Sequence, residues 1–158
     1  MATAERPLDL IFLLSEAAHA LQTEMTRDLA ELGVTPRMHC VLYHALGGEF
    51  SQIQLADQCA LDKTTMVVTM DALERDGLAE RRPSPTDRRA RIIAVTEKGA
   101  GLVARADEIV SRLYADVLAT LPAEVRDVFV NSLQTLVSGR LADPPKHEQP
   151  VRRRRAVS

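Results

Sequence analysis

The sequence predicts a mainly α chain (α+β class) in which one short β-hairpin interrupts a series of amphipathic helices. Apolar residues recur at three- and four-residue spacing over several long stretches, which is typical of helices that pack on one face. Two short alternating runs, 78–82 and 90–95, flank a segment rich in Pro, Ser, Thr and Asp, and predict a hairpin. Aromatic residues make up only 3% of the chain, so we expect a core of Leu, Val, Ala and Met.

Each predicted helix has its own start or stop signal. The first is apolar round more than one side and ends at Gly33, and the second begins with Thr35 as N-cap and Pro36 at its first position. Ser51 opens a capping box at the third, and Asp62 is a good N-cap for the fourth. The predicted helices cover residues 8–32, 36–46, 53–60, 62–76, 97–120 and 122–141.

The third and fourth helices predict a helix-turn-helix, and the hairpin after them carries a dense positive charge. Five arginines lie within eleven residues, opposed there only by Asp87. Arginine neutralises phosphate, and that interaction supplies most of the sequence-independent affinity for duplex DNA. The fourth helix has the size to enter a major groove. The alternative is a solvated, salt-bridged hairpin without a ligand.

Three segments of this region, LERDGLAERR, SPTDRRA and VTEKG, resemble the signature of the MarR family of winged-helix transcription regulators. The resemblance extends from about residue 8 to residue 141. It implies a winged helix-turn-helix with N- and C-terminal dimerisation helices. It also implies a ligand- or signal-responsive repressor that binds a pseudo-palindromic operator in double-stranded DNA as a homodimer. The expected divisions are 1–34 (dimerisation), 35–99 (DNA binding), 100–141 (dimerisation) and 142–158 (disordered basic tail).

The candidate DNA contacts lie on the helix-turn-helix and on the hairpin. Members of the resembled family often carry Thr-Arg where this chain has Val67 and Val68. Val68 could face the bases outward or pack inward, and the sequence leaves both readings open. The resemblance pairs Asp87 with Arg89, so that the carboxylate aims the guanidinium. The candidates are Ser51, Gln52, Gln54, Lys63, Thr64, Thr65, Val68, Thr69, Arg81, Arg82, Asp87, Arg88, Arg89 and Arg91.

The two cysteines do not form a disulfide framework. Cys40 and Cys59 are candidates for redox sensing, and the alternative is that each is a small core residue. Cys40 and His44 share a helix face, but no third ligand follows at a recognisable spacing, so we expect no metal site. No cofactor motif and no enzyme motif is present, and the sequence predicts a protein that is not an enzyme.

Composition restricts the expected partners. Net charge is −2, yet the hairpin and the tail, with its arginine run 152–155, are basic while the other helices hold most of the acids. No apolar run of about 18 residues predicts a membrane span, and acids near the N-terminus argue against a signal peptide. We therefore expect a cytoplasmic protein. A small-molecule effector, if there is one, would bind between the dimer helices and the DNA-binding lobe. Two other functions are alternatives to DNA-binding regulation. One is a winged-helix module that docks an acidic protein, and the other is a thiol redox enzyme.

Overall fold

A computed structural model describes residues 9–87 and 90–143, and it is mainly helical with one two-stranded antiparallel sheet. The predicted Arg88, Arg89 and the arginine run of the tail lie outside the described residues. The elements, in chain order, are α1 (Leu10–Leu29), a 3-10 turn (Ala30–Leu32), α2 (Pro36–Leu46), α3 (Gln52–Gln58), α4 (Lys63–Arg75), β1 (Ala79–Pro83), β2 (Arg91–Val95), α5 (Glu97–Ala119) and α6 (Ala123–Ser138).

The start and stop signals work as the sequence predicts. The predicted Thr35, Ser51 and Asp62 cap α2, α3 and α4 with their side chains. Asp9, which the sequence placed inside the first helix, caps α1. Gly77 takes a left-handed φ of 70° after α4, a conformation that costs glycine little because it has no Cβ.

Two helix ends differ from the prediction by about one turn, and the other bounds differ by at most two residues. The first helix does not continue as an α-helix to residue 32, because its last turn tightens into the 3-10 turn before Gly33 reverses the chain at φ 68°. The last helix stops at Ser138 and not at residue 141, because Gly139 leaves the helical conformation. Both differences concern one turn at a helix end, where the apolar spacing carries little information.

The described chain forms two compact units, with the boundary at Ala115–Asp116 inside α5. The core of the first unit is aliphatic, and its fully buried large side chains come from α1, α2, α3 and α4: Leu29, Val41, Leu42, Leu55, Met66, Met70 and Leu73. The hairpin pairs Arg81 with Ile93 and Arg82 with Ile92. The Ile93 N–H also donates to the Phe50 carbonyl at 2.9 Å, which attaches the hairpin to the loop before α3.

Each unit exposes apolar side chains that the single chain does not cover. In the first unit they include the five residues at the start of α1, from Leu10 to Leu14, with Ile11 80% exposed. In the second unit α6 has no buried residue at all. No described helix is long and apolar enough to span a membrane.

Candidate nucleic-acid interface

The start of α4 is fixed by its cap. Asp62 accepts two hydrogen bonds from Thr65, one from the backbone N–H at 2.9 Å and one from the hydroxyl at 2.6 Å. The hydroxyl, followed by the N–H, holds the pKa of Asp62 below its usual value. Met66 and Met70 anchor the opposite face in the core. The cap and the core together therefore determine which face of α4 meets solvent.

The solvent face of α4 is formed by Lys63, Thr64, Val67, Val68, Asp71 and Arg75. Val68 is 65% exposed, which favours the outward of its two readings. Thr69 is buried, and its hydroxyl donates to the Thr65 carbonyl at 2.7 Å. Of the three predicted threonines, Thr64 is the exposed one, while the hydroxyls of Thr65 and Thr69 donate within the helix and its cap.

The polar residues of α3 hold their own helix and the hairpin. The Ser51 N–H donates to Gln54 Oε1 at 2.8 Å, and the Gln54 N–H donates to Ser51 Oγ at 3.3 Å, which completes the predicted capping box. Gln52 Oε1 accepts from Arg81 Nε at 3.1 Å. Of these three candidates, Gln54 is the one with an exposed side chain.

Arg81 lies on the inner face of the hairpin, opposite the buried Ile93. Its guanidinium donates to Asp71 at 3.0 Å and to Glu74, and its backbone N–H donates to the other Glu74 oxygen at 2.9 Å. Sequence reasoning placed Arg81 among the DNA contacts because it counted the hairpin arginines together. The structure places this charge against Asp71 and Glu74, where it holds the hairpin to α4.

Arg82 and Arg91 are exposed on the hairpin, where Arg82 pairs with Glu80 in its own strand. The turn beyond them is organised by Ser84, whose Oγ accepts from the N–H of Asp87 at 3.2 Å. The Asp87 carbonyl accepts from the Ala90 N–H at 3.0 Å. The predicted pairing of Asp87 with Arg89 lies outside the described residues.

The segment VTEKG locks α5 to the turn between α4 and β1. Thr96 Oγ1 donates to the Leu78 carbonyl at 3.1 Å and accepts from the Gly99 N–H at 3.0 Å. Lys98 Nζ donates to the Asp76 carbonyl at 2.8 Å, at the end of α4. A Cβ on Gly99 would lie 2.0 Å from the Leu78 oxygen. Glycine is therefore required where α5 crosses this turn.

A cleft of about 1100 Å³ opens within the first unit, between α1, α2, the turn before α4 and α5. Both tyrosines of the chain, Tyr43 and Tyr114, line it, and Arg37 supplies an exposed cation. His39 and Asp107 share a hydrogen bond in its wall, with Nε2 and Oδ1 2.7 Å apart. Sequence reasoning missed this pair, because 68 residues separate its members and neither lies in a motif.

Cys40 and Cys59 also line the cleft. Their sulfurs share a hydrogen bond. This bond lowers the pKa of Cys40, whereas the same bond, followed by burial, raises the pKa of Cys59. The His44 ring joins them, so that the three potential ligand atoms lie within 4.8 Å of one another. The sequence indicates that Cys40 and His44 share a face, but not that Cys59, which follows α3, reaches them.

Comparison with known proteins identifies the same region. The MarR family sequence model matches residues 32–90. The transcriptional repressor CouR, bound to a 23-mer DNA duplex, is 29% identical with a TM-score of 0.72, and the match covers 81% of this chain and 92% of that one. CouR from Rhodococcus jostii RHA1, bound to p-coumaroyl-CoA, is 29% identical with a TM-score of 0.74 over 89% and 96% of the two chains. A MarR-family regulator from Rhodococcus sp. RHA1 is 28% identical with a TM-score of 0.74, over 86% and 95%.

The fold is that of a winged helix-turn-helix protein, the architecture in which CouR is bound to DNA. Over residues 32–90 the chain matches the MarR family, and the solved structures that it resembles include a MarR-family transcription regulator. The family and these structural neighbours are transcription regulators and not enzymes.

Proposed function

We propose that this chain is a homodimeric, effector-responsive repressor that binds a pseudo-palindromic duplex site. The cleft is the observation that carries the effector-responsive part. Its lining includes Asp62 and Thr65, the two residues that fix the start of α4, together with residues of α1, α2 and α5. A ligand in the cleft would therefore directly contact the N-terminal cap of α4, the helix proposed to enter the major groove.

The proposed base-reading surface is the outer face of α4, with Lys63, Thr64 and Val68 in the major groove. Before Arg75 this face has no arginine, so it lacks the bidentate contact that reads guanine. Apolar contact with thymine methyl groups and readout of DNA shape would then carry more of the specificity. The proposed phosphate and minor-groove contacts are the exposed Arg82 and Arg91, joined by Arg88 and Arg89.

The proposed dimer is formed by residues 1–34 and 100–141, whose described parts, from residue 9 onward, leave apolar side chains exposed in the single chain. Exposed apolar surface of this extent is typical of protein interaction sites. If folding requires the partner, the unfolding midpoint should rise with protein concentration. A stable folded monomer at micromolar concentration, observed by sedimentation, would contradict the dimer.

The proposed effector is an amphipathic aromatic anion, such as an aromatic acid or its coenzyme A thioester. Tyr43 and Tyr114 offer ring contacts, and Arg37 offers charge at the exposed edge of the cleft. CouR, which is similar over most of this chain, is bound to p-coumaroyl-CoA in its structure. An effector that binds one dimer conformation more tightly shifts the population toward that conformation. The ratio of its affinities for the two conformations limits how far the equilibrium can shift.

The effector proposal is tested with p-coumaroyl-CoA as the first probe. Because the chain has no Trp, its fluorescence comes from the two tyrosines in the cleft, and binding should quench it and weaken DNA binding. Ser111→Phe, which places a ring among the lining residues, should abolish both effects. Arg105→Phe is the control, on an exposed position of the same helix outside the lining. Equal responses from both variants would contradict a site in this cleft.

A further inference from the structure

Three soft ligands from two helices meet at the edge of the cleft. Cys40 and His44 lie one turn apart on α2, and Cys59 follows the last residue of α3. The sulfur atoms and a ring nitrogen lie within 4.8 Å of one another, and all three residues are half-buried. The proposed DNA contacts do not use this cluster, and two of its members, Cys40 and Cys59, line the proposed effector cleft.

We propose that Cys40, His44 and Cys59 form a Zn²⁺ site. Thiolate and imidazole are the ligands that zinc prefers, and two sulfurs with one nitrogen match a known catalytic-type donor set. From the Zn–S and Zn–N bond lengths, ligands around a tetrahedral zinc lie about 3.6–3.8 Å apart. Side-chain movements of about 1 Å would bring these three atoms to that spacing.

The surroundings suit a site with three protein ligands and one open position. The Tyr43 ring meets the His44 ring edge-on, with centroids 5.5 Å apart, and restrains the imidazole. Cys59 is held at the end of α3 by its N–H, which donates to the Leu55 carbonyl at 2.9 Å. Because both sulfurs line the cleft, a water molecule or a group of a bound ligand can complete the coordination.

The position of Cys59 gives the site a consequence for the helix-turn-helix. Cys59 and Asp62 enclose the turn into α4, and Ala60 within it has a left-handed φ of 50°. A zinc ion on Cys59 and on the two α2 ligands would attach this turn to α2. An ion that binds the folded state alone stabilises it, so zinc should raise the melting temperature.

Co²⁺ is the probe, because thiolate coordination gives a sulfur-to-metal charge-transfer band that Zn²⁺ abolishes on displacement. The full chain, reduced and anaerobic, should bind one Co²⁺ per chain. Cys40→Ser and Cys59→Ser should weaken or remove that band. His44→Ala should lower affinity by about tenfold or more, since even outer-shell partners are worth that much. His19→Ala, an exposed histidine on α1, is the matched control and should bind normally.

A wild-type chain that shows no charge-transfer band while both thiols react with a thiol reagent would overturn the proposal. So would a band of unchanged intensity in folded Cys59→Ser, or oxidation of the reduced pair to a disulfide with no metal uptake. Circular dichroism checks that each variant folds, and Cys59→Ala replaces the serine variant if it does not. The zinc-dependent rise in melting temperature should be present in wild type and absent in His44→Ala, and its absence from wild type would contradict the proposal. None of these readouts requires DNA or an effector.

Discussion

Arg81 and Arg82 are adjacent residues with opposite surroundings. Arg81 lies on the inner face of the hairpin, where Glu74, Asp71 and Gln52 accept from its guanidinium. Arg82 points to the other face and is exposed, with Glu80 of its own strand as its ion partner. Because successive side chains of a strand alternate between faces, one step along the chain separates an arginine of the scaffold from one that can meet phosphate.

The difference teaches that a run of arginines is not a count of DNA contacts. The base of the hairpin is fixed by internal polar contacts, namely those of Arg81, Thr96 and Lys98. The outer surfaces, on Arg82, Arg91 and the exposed face of α4, keep their side chains in solvent. Substitutions at the base should therefore change stability, and substitutions outside it should change DNA binding.

The largest expected effect is at the base, at Gly99. Gly99→Ala would place a Cβ against the Leu78 carbonyl, and backbone must move to accommodate it, at a cost of about 3 kcal/mol in the free energy of unfolding. Gly101→Ala is the matched control, because a Cβ there meets nothing within 4 Å. It should stabilise the chain by about 0.5–1 kcal/mol as a helix substitution. Urea unfolding at one protein concentration measures both, and equal effects would show that this crossing is not tight.

The next effect is on the outer face of α4. Val68→Arg should leave stability nearly unchanged, because the position is exposed, and should create a preference for G at one position per half-site. A good bidentate contact is worth about 1–3 kcal/mol of discrimination. A thermal melt checks folding, and selection from a random duplex library measures the preference. A folded variant that selects the wild-type sequence would show that position 68 does not face the bases.

The third prediction compares the two arginines directly. Arg81→Ala removes the partner of a half-buried Glu74 and should cost about 1 kcal/mol of stability. Arg82→Ala should change stability by less than about 0.5 kcal/mol and should weaken binding to specific and non-specific DNA alike. Unfolding curves and fluorescence anisotropy on the two variants provide the comparison. The assignment would be reversed if Arg82→Ala were the less stable variant.

Most of the fold could be predicted from local signals in the sequence. Caps at Thr35, Ser51 and Asp62 and the glycine at 77 set helix bounds that the structure confirms to within one or two residues. Each signal depends on hydrogen bonds between residues a few positions apart, so it can be read from a short window. Only the ends of the first and last helices, where a 3-10 turn and Gly139 intervene, were placed a turn too far.

The candidate site was less predictable, because its decisive contacts join distant parts of the chain. The hydrogen bond between His39 and Asp107 and the approach of Cys59 to Cys40 depend on how α2, α3 and α5 pack. The role of Arg81 depends on acids of α4 that only the folded hairpin reaches. Spacing along one helix indicates a shared face, but it cannot indicate which residue of another helix completes a site.

The salt dependence of DNA binding tests the central claim most directly. Each phosphate contact makes the slope of log Kobs against log salt more negative by about 0.9. Wild type should show a steep negative slope. Arg89→Ala should make that slope shallower by the equivalent of about one phosphate contact, and should weaken binding to specific and non-specific DNA together. Arg112→Ala, on an exposed position of α5, is the control and should leave the slope unchanged. An unchanged slope in folded Arg89→Ala, or wild-type binding that is insensitive to salt, would contradict the assignment of the hairpin arginines to phosphate.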